Sequence, residues 1–374
     1  MDTKRERLSL GGASTVRNTK SAHIFLFLAW FLFLFPVAVN AHPDTMVISV
    51  SVSPDATHQS TMAVPKGLAK RLLRCKTIPT PEIPELPRAT ISSGKRTFVL
   101  DSMSRLFEPQ TRQQVVLPGP LHRELMTWVE RAEQVHYGRL AHWDEVKREF
   151  RRLSMATIVD LETGEQFRVQ RRAGSRHADV QPVTREDTRV MKRIYNGKWS
   201  WKRRAILVRV NDRAYAASMN GMPHGAGAIT GNEFPGHFCI HFYGSTTHRR
   251  KTPDPRHSLM VWKASGRLSE VLMNAEPDPL VDAFLIFLQE RDTAALRATT
   301  NGFALPEALN ELVSVKRIRT EPTENSILAV TAELPVQVEL IHKEHGRMKT
   351  VWVFHLGRRT LFDRWKITGL EMES

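Results

Sequence analysis

The sequence predicts a mainly β protein: a β-sandwich or open-barrel catalytic region, then an α+β domain, behind an N-terminal signal or anchor. Three observations predict it. Short runs of alternating apolar and polar residues, separated by Gly, Asn and Asp turns, recur between residues 156 and 243, the pattern of paired strands. After Gly266 the pattern changes to helical periodicity and then to strands, an order typical of α+β domains. Basic residues Lys4, Arg5, Arg7, Arg17 and Lys20 precede an unbroken apolar run over 24–39, which ends in Val39-Asn40-Ala41.

That first stretch has the n-region, h-region and small-x-small site of a secretory signal. Its apolar core is shorter than the roughly 20 residues that span a bilayer, so a cleaved signal over 1–41 is expected, with an uncleaved anchor over 21–41 as the rival. Residues 42–118 carry prolines at 79, 81, 84 and 87 and read as a Pro-rich stalk or linker, with a strand at 46–53, a short helix at 67–73 and a strand followed by a short turn over 95–107.

Residues 119–265 read as a helical lead-in plus the catalytic domain. Leu121, Leu125, Trp128 and Val129 share one helix face, and 143–150 is a second amphipathic piece. Residues 156–161 and 166–170 form a hairpin around Thr163-Gly164-Glu165. A helix over 185–194 has Thr184 as its cap. A second hairpin, 205–210 with 213–218, turns at Asn211-Asp212. From 266 to 374 helices at 280–290, 292–300 and 306–313 precede strands at 327–334, 336–342, 350–355 and 365–367. Asp254 and His257 read as a helix cap and a surface position.

Charge narrows the partner. The chain holds 54 Lys and Arg against 39 Asp and Glu, a net +15. Residues 1–41 account for five basic and two acidic residues, so the remainder keeps +12 of the +15. Such a balance suits an anionic partner. A chain that leaves the cytoplasm meets acidic wall polymers or a membrane surface rather than nucleic acid, and a bacterial cell envelope is the expected location. The two cysteines are Cys75 and Cys239; a disulfide between them is possible outside the cytoplasm, but a free thiol at 239 is favoured by its three histidine neighbours.

Those neighbours define the candidate site. Alternation over 236–243 puts His237, Cys239 and His241 on one strand face and Phe238, Ile240 and Phe242 on the other. His224-Gly225 stands in the Gly-rich loop upstream. A thiol beside an imidazole is the minimum set for an activated nucleophile. Trp199 and Trp201, with the basic run Lys198, Lys202, Arg203 and Arg204, offer a cleft wall and groups suited to carboxylates.

The segments "DLETGEQF", "HADV", "GKWSWKRRAILV", "YAASMNGMPHG" and "GHFCIHFYGSTTH" together resemble a divergent L,D-transpeptidase (YkuD-type) catalytic domain over roughly residues 141–265. The resemblance implies that Cys239 is the acylated nucleophile and His224 its base. It further implies that the Gly225 carbonyl orients the imidazole and that His237 lines the oxyanion or substrate side. Phe238, His241, Trp201 and Arg203 are expected on the substrate side. Peptidoglycan stem peptides would be the substrate, with no cofactor and no metal ion. Three positions depart from the family pattern: Gly236 stands where it has Ser or Thr, Phe238 where it has Gly, and His241 where it has Arg or Asn. The C-terminal layout resembles the cone-shaped fold of ketosteroid isomerase and its non-enzymatic secreted relatives, which implies an accessory domain. Two other functions fit the same residues: a catalytically inactive wall-binding module, and a zinc hydrolase using His237, Cys239 and His241 with His224 or His248.

Overall fold

The computed structural model describes residues 45–81, 84, 86–247, 251–318 and 328–372. The expected signal or anchor and His248 lie outside the described residues. Among the described residues no helix is long and apolar enough to cross a membrane. The described residues are mainly β and form three sheets.

The first sheet overturns the stalk expected over 42–118. Strands β1 (Met46–Ser51), β2 (Gln59–Ala63), β3 (Thr77–Pro79), β4 (Ala89–Ser93), β5 (Arg96–Leu100), β6 (Leu106–Glu108) and β7 (Gln113–Val115) form one sheet in the order β2-β1-β4-β5-β6-β7-β3. Its apolar face, with Met46, Ile48, Val50, Ile91, Phe98 and Leu100 buried, packs under helices α1 (Lys66–Leu72) and α2 (Gly119–His136). Leu121, Leu125, Val129 and Ala132 of α2 belong to this core, so the helical lead-in serves the N-terminal sheet. Strands β3, β6 and β7 have only three residues each, too few to show two full periods; Pro79 ends β3 at the sheet edge and Pro81, Pro84 and Pro87 follow in the connection to β4, positions that tolerate the missing amide hydrogen.

The second sheet is a closed six-stranded barrel, where the short strands suggest a sandwich or an open barrel. Its strands are β8 (Met155–Asp160), β9 (Gln166–Ala173), β10 (Ala178–Pro182), β11 (Arg203–Val210), β12 (Arg213–Asn220) and β13 (Phe238–His241), in the order β10-β13-β12-β11-β8-β9. Both expected hairpins form. The β11–β12 turn places Asn211 and Asp212 at φ 47° and 61°, as a type I′ turn requires. One strand face feeds a core shared with α3 (Trp143–Glu149) and α4 (Arg185–Ile194). In α4, Thr184 caps the helix in a reciprocal capping box with Asp187. The opposite strand face carries Val159, Leu207 and Ala216 and packs against the C-terminal core and α5 (Pro255–Ala264). Asp254 caps α5 through the Arg256 amide.

The third part is α+β. Helices α6 (Leu268–Met273), α7 (Pro277–Glu290) and α8 (Thr293–Ala298) precede a four-stranded antiparallel sheet of β14 (Leu312–Arg317), β15 (Thr331–His342), β16 (Gly346–Gly357) and β17 (Lys366–Met372). The helical turn expected over 306–313 forms as a short 3-10 helix, Glu307–Glu311, and its last two positions already belong to β14. The two strands expected on either side of Pro335 are one strand, because Pro335 lies beyond the stretch that pairs with β14. An edge position tolerates the missing amide hydrogen. Phe284 and Phe287 of α7 meet Trp352 and Phe354 of the sheet in a single core.

Candidate functional site

Register brings the site together on one face of the barrel wall. In the β10–β13 pair Asp179 lies opposite Cys239, and in the β12–β13 pair Ser218 lies opposite His241. The alternation holds: Phe238, Ile240 and Phe242 enter the apolar core, and Cys239 and His241 point the other way. That other face is covered rather than open. Helix α5 lies over one end and the loop over 221–236 lies over the other, so Cys239 is only 8% exposed and His241 only 3%.

The loop is held by buried side chains. Gln181 Oε1 accepts from the amides of Ala228 and Ile229 at 2.7 and 3.1 Å, and Asn232 Nδ2 donates to the Pro182 carbonyl at 2.7 Å. At its base His224 and His237 exchange two main-chain hydrogen bonds of 2.9 and 2.8 Å. Gly236, at φ 98°, passes so close to this bridge that a Cβ would lie 2.4 Å from the His224 carbonyl oxygen and 2.8 Å from that of Gly225. A serine or threonine is therefore excluded there, which gives the first departure from the transpeptidase pattern a local cause. Gly225, at φ 61°, passes the His237 ring, and a Cβ there would fall 2.5 Å from its Cε1.

The bridge sets His224 beside the thiol, with Nε2 3.2 Å from Cys239 Sγ. His224 Nδ1 is 2.9 Å from the carbonyl oxygen of Met222. A carbonyl only accepts, so Nδ1 carries the hydrogen and Nε2 of the neutral ring is a lone pair facing the thiol. The orienting carbonyl is that of Met222, not the expected one of Gly225, whose place is set by its closeness to His237. Burial lowers the His224 pKa, with the Met222 carbonyl opposing in part. Burial, then the charge and hydrogen bond of Asp179 3.8 Å away, pushes the Cys239 thiol well up. Sulfur at rest is thus a thiol beside a neutral imidazole, the arrangement for general-base activation during attack.

Other imidazoles surround the sulfur. His237 Nδ1 donates to the Ala226 carbonyl at 2.9 Å, and its Nε2 is 4.0 Å from Asp179 Oδ1. In the neutral ring that Nε2 only accepts, so neutral His237 gives an oxyanion no hydrogen bond. His177 Nδ1 donates to the Thr246 carbonyl at 2.8 Å, with Nε2 3.0 Å from Asp179 Oδ1. His241 stacks between His177 and His257, with ring centroids 4.6 and 3.9 Å away. His257 bonds Ser218 Oγ at 2.9 Å. Burial holds His241 and His257 well below the ordinary histidine pKa; neighbouring imidazoles and Arg203 add to it, and Asp254 opposes it in part at His241. His257 is thus a buried residue and not the surface position expected.

Three residues assigned to the substrate side are placed elsewhere. Phe238 is fully buried among Phe167 and Phe234, so it fills core rather than the substrate side. His241 is inside the imidazole stack. Arg203 pairs with Asp254 at 3.4 Å and donates to the Trp201 carbonyl at 3.0 Å; it supports the segment that carries Trp201. Trp201 itself is 52% exposed, with its ring 5.3 Å from that of His224, at the open side of the dyad. Arg204 is likewise committed, to Asp160.

His177 and Asp179 escaped notice in the sequence apart from their place in "HADV". Their signal is the i, i+2 spacing of two ionisable residues on a strand, visible only once the β10–β13 register is known. Cys75 and Cys239 are both free thiols, which removes the disulfide. Two sets could hold a metal ion, His177/Cys239/His241 and His224/His237/Cys239, with the ligand atoms of each within 4.8 Å of one another. A cavity of about 550 Å³ beside Arg71, Arg74 and Cys75 and another of about 340 Å³ beside Arg209 and Arg213 include no residue of this site. No family model and no curated protein matches the chain.

Proposed function

We propose that the protein is a cysteine acyltransferase of the bacterial cell envelope, related to L,D-transpeptidases, acting on peptidoglycan stem peptides through a thioacyl intermediate. The observation that carries the reading is the 3.2 Å approach of His224 Nε2 to Cys239 Sγ, with the ring tautomer fixed by the Met222 carbonyl.

In this reading Sγ attacks the carbonyl carbon of the scissile amide while its proton passes to His224 Nε2. The imidazolium then returns the proton to the departing amine, leaving a thioester on Cys239. An amine or water attacks that thioester, with His224 again taking a proton, and the thiol is regenerated. Asp179 lies where a positive charge on His224 is favoured. Trp201 forms the wall along which the peptide approaches. The basic surface draws the anionic wall. The C-terminal part, in the same reading, is a cone-like accessory domain.

Intact-mass analysis after carbapenem treatment tests this. A stoichiometric adduct on the wild type and on Cys75→Ser, none on Cys239→Ala, and a rate lowered about 10²–10⁴-fold in His224→Ala are the expected results. An absence of adduct on folded wild-type protein would overturn the reading and leave a wall-binding module.

A further inference from the structure

A nucleophilic dyad needs one imidazole whose Nε2 lone pair faces the sulfur, and this site has a second ring prepared in the same way. His224 and His237 each donate Nδ1–H to a main-chain carbonyl, of Met222 and Ala226 respectively, at 2.9 Å. In both rings the neutral form therefore presents its Nε2 lone pair. The Nε2 atoms lie 3.2 Å from Cys239 Sγ for His224 and 4.0 Å from Asp179 Oδ1 for His237. Fixing one ring nitrogen on a carbonyl so that the other is aimed inward is how proteins prepare histidines for a metal ion.

We infer that His224, His237 and Cys239 form a reversible binding site for a thiophilic divalent cation of the zinc class, and that occupancy switches the nucleophile off. The ligand atoms lie within 4.8 Å of one another. Zinc–sulfur and zinc–nitrogen bonds of about 2.3 and 2.0–2.1 Å put tetrahedral N···S edges at about 3.5 Å. The His224–Cys239 separation of 3.2 Å is close to that edge, and the His237 ring needs only a small shift. Asp179, 3.8 Å from Sγ, adds the negative charge that favours a cation. The second set, with His177 and His241, is buried throughout, whereas His224 and His237 are half-exposed and give a route in and out. Only the His237–Cys239 pair keeps the two-residue spacing of a strand; His224 enters from the loop, held against His237 by their two main-chain hydrogen bonds.

Binding breaks the Cys239 S–H bond. The sulfur electron pair goes to the cation and the proton to solvent, with no change of oxidation state. The cation then occupies both lone pairs that the acyl-transfer chemistry uses. That consequence rests on the proposed function; the metal site does not.

The test uses the full chain, reduced and metal-free, with Cys75→Ser so that only Cys239 reacts. Zinc is added against a chromophoric chelator, and Cys239 alkylation by iodoacetamide is followed by mass. One zinc per chain is expected, with alkylation slowed about tenfold at a tenfold excess over Kd. Cobalt(II) should give a thiolate charge-transfer band. Adding Cys239→Ser should cost at least about 10–100-fold in affinity, the loss seen even for groups that merely support ligands. The protection measurement needs no ligand variant, so it stands even if that variant fails to fold. No zinc binding, or binding with alkylation unchanged, would overturn the inference. Carbapenem acylation of the metal-free protein is a separate readout: an adduct without zinc binding leaves the proposed function standing, and zinc binding without an adduct does the reverse.

Discussion

Gly236 offers the sharpest test of how the loop positions the dyad. The substitution Gly236→Ser restores the residue type of the family pattern, so a motif-based view expects gain or neutrality. Geometry predicts the opposite. At φ 98° the new Cβ would sit 2.4 Å from the His224 carbonyl oxygen and 2.8 Å from that of Gly225, both backbone atoms that cannot swing aside. An L-residue forced into such a conformation costs about 1–3 kcal/mol. Relieving the overlap means opening the His224–His237 bridge, whose two hydrogen bonds contribute about 1 kcal/mol each. A loss of about 3 kcal/mol confined to the loop corresponds to roughly a hundredfold drop in the fraction with His224 on the thiol. Carbapenem acylation followed by intact mass should slow by about that factor, with a lower urea midpoint than wild type. A Gly236→Ser protein with wild-type midpoint and wild-type acylation rate would refute the reasoning, because the bridge could not then be what places His224.

Three further outcomes follow from the charges. Acylation should depend on neutral His224, whose pKa burial lowers; the pH–rate profile should therefore stay flat from neutrality down past about 6.5, the ordinary histidine value, and fall only in more acidic solution. A profile already falling between pH 8 and 7 would contradict the assigned proton. His136, lowered to about 3 by burial and then by His58, and His241 and His257, also lowered by burial, are held neutral in the folded chain. Their unfolded forms bind protons first, so stability is full above about 6.5 and declines as pH falls toward the folded values, by about 2 kcal/mol per histidine at pH 5; urea midpoints at pH 7 and 5 measure it. Burial works against the charge of Lys263, but Asp292 and Glu162, at 2.5 and 2.6 Å, outweigh it and hold its pKa up. Lys263→Ala leaves two carboxylates facing each other and should cost about 3–5 kcal/mol, with partial recovery when Asp292→Asn is added; an unchanged denaturation midpoint would show the pair to be irrelevant.

Local order was legible in the residues themselves. The Thr184 cap, the Asn211-Asp212 turn, the Asp254 helix start and the alternation that sends Phe238, Ile240 and Phe242 into the core all depend on neighbours a few positions away, and side-chain periodicity records them. The same alternation set Cys239 on the opposite face, and the loop residue His224 was identified as its partner. Register and coverage were not legible. Nothing within reach of Cys239 along the chain announces Asp179, because the β10–β13 register brings it there from 60 positions away. Nor does the sequence around His241 say that α5 will lie over it, or that the short strands before residue 118 close into a sheet beneath α2. Periodicity states which way a side chain points; only the packing of distant segments decides whether that direction ends in water, in an ion pair or in a stack of rings. For this chain, alternation and turn chemistry determined the hairpins and capped helices of the central region and the candidate thiol, and the tertiary fold alone decided that the sulfur faces a carboxylate and a ring of imidazoles under a glycine-bound loop.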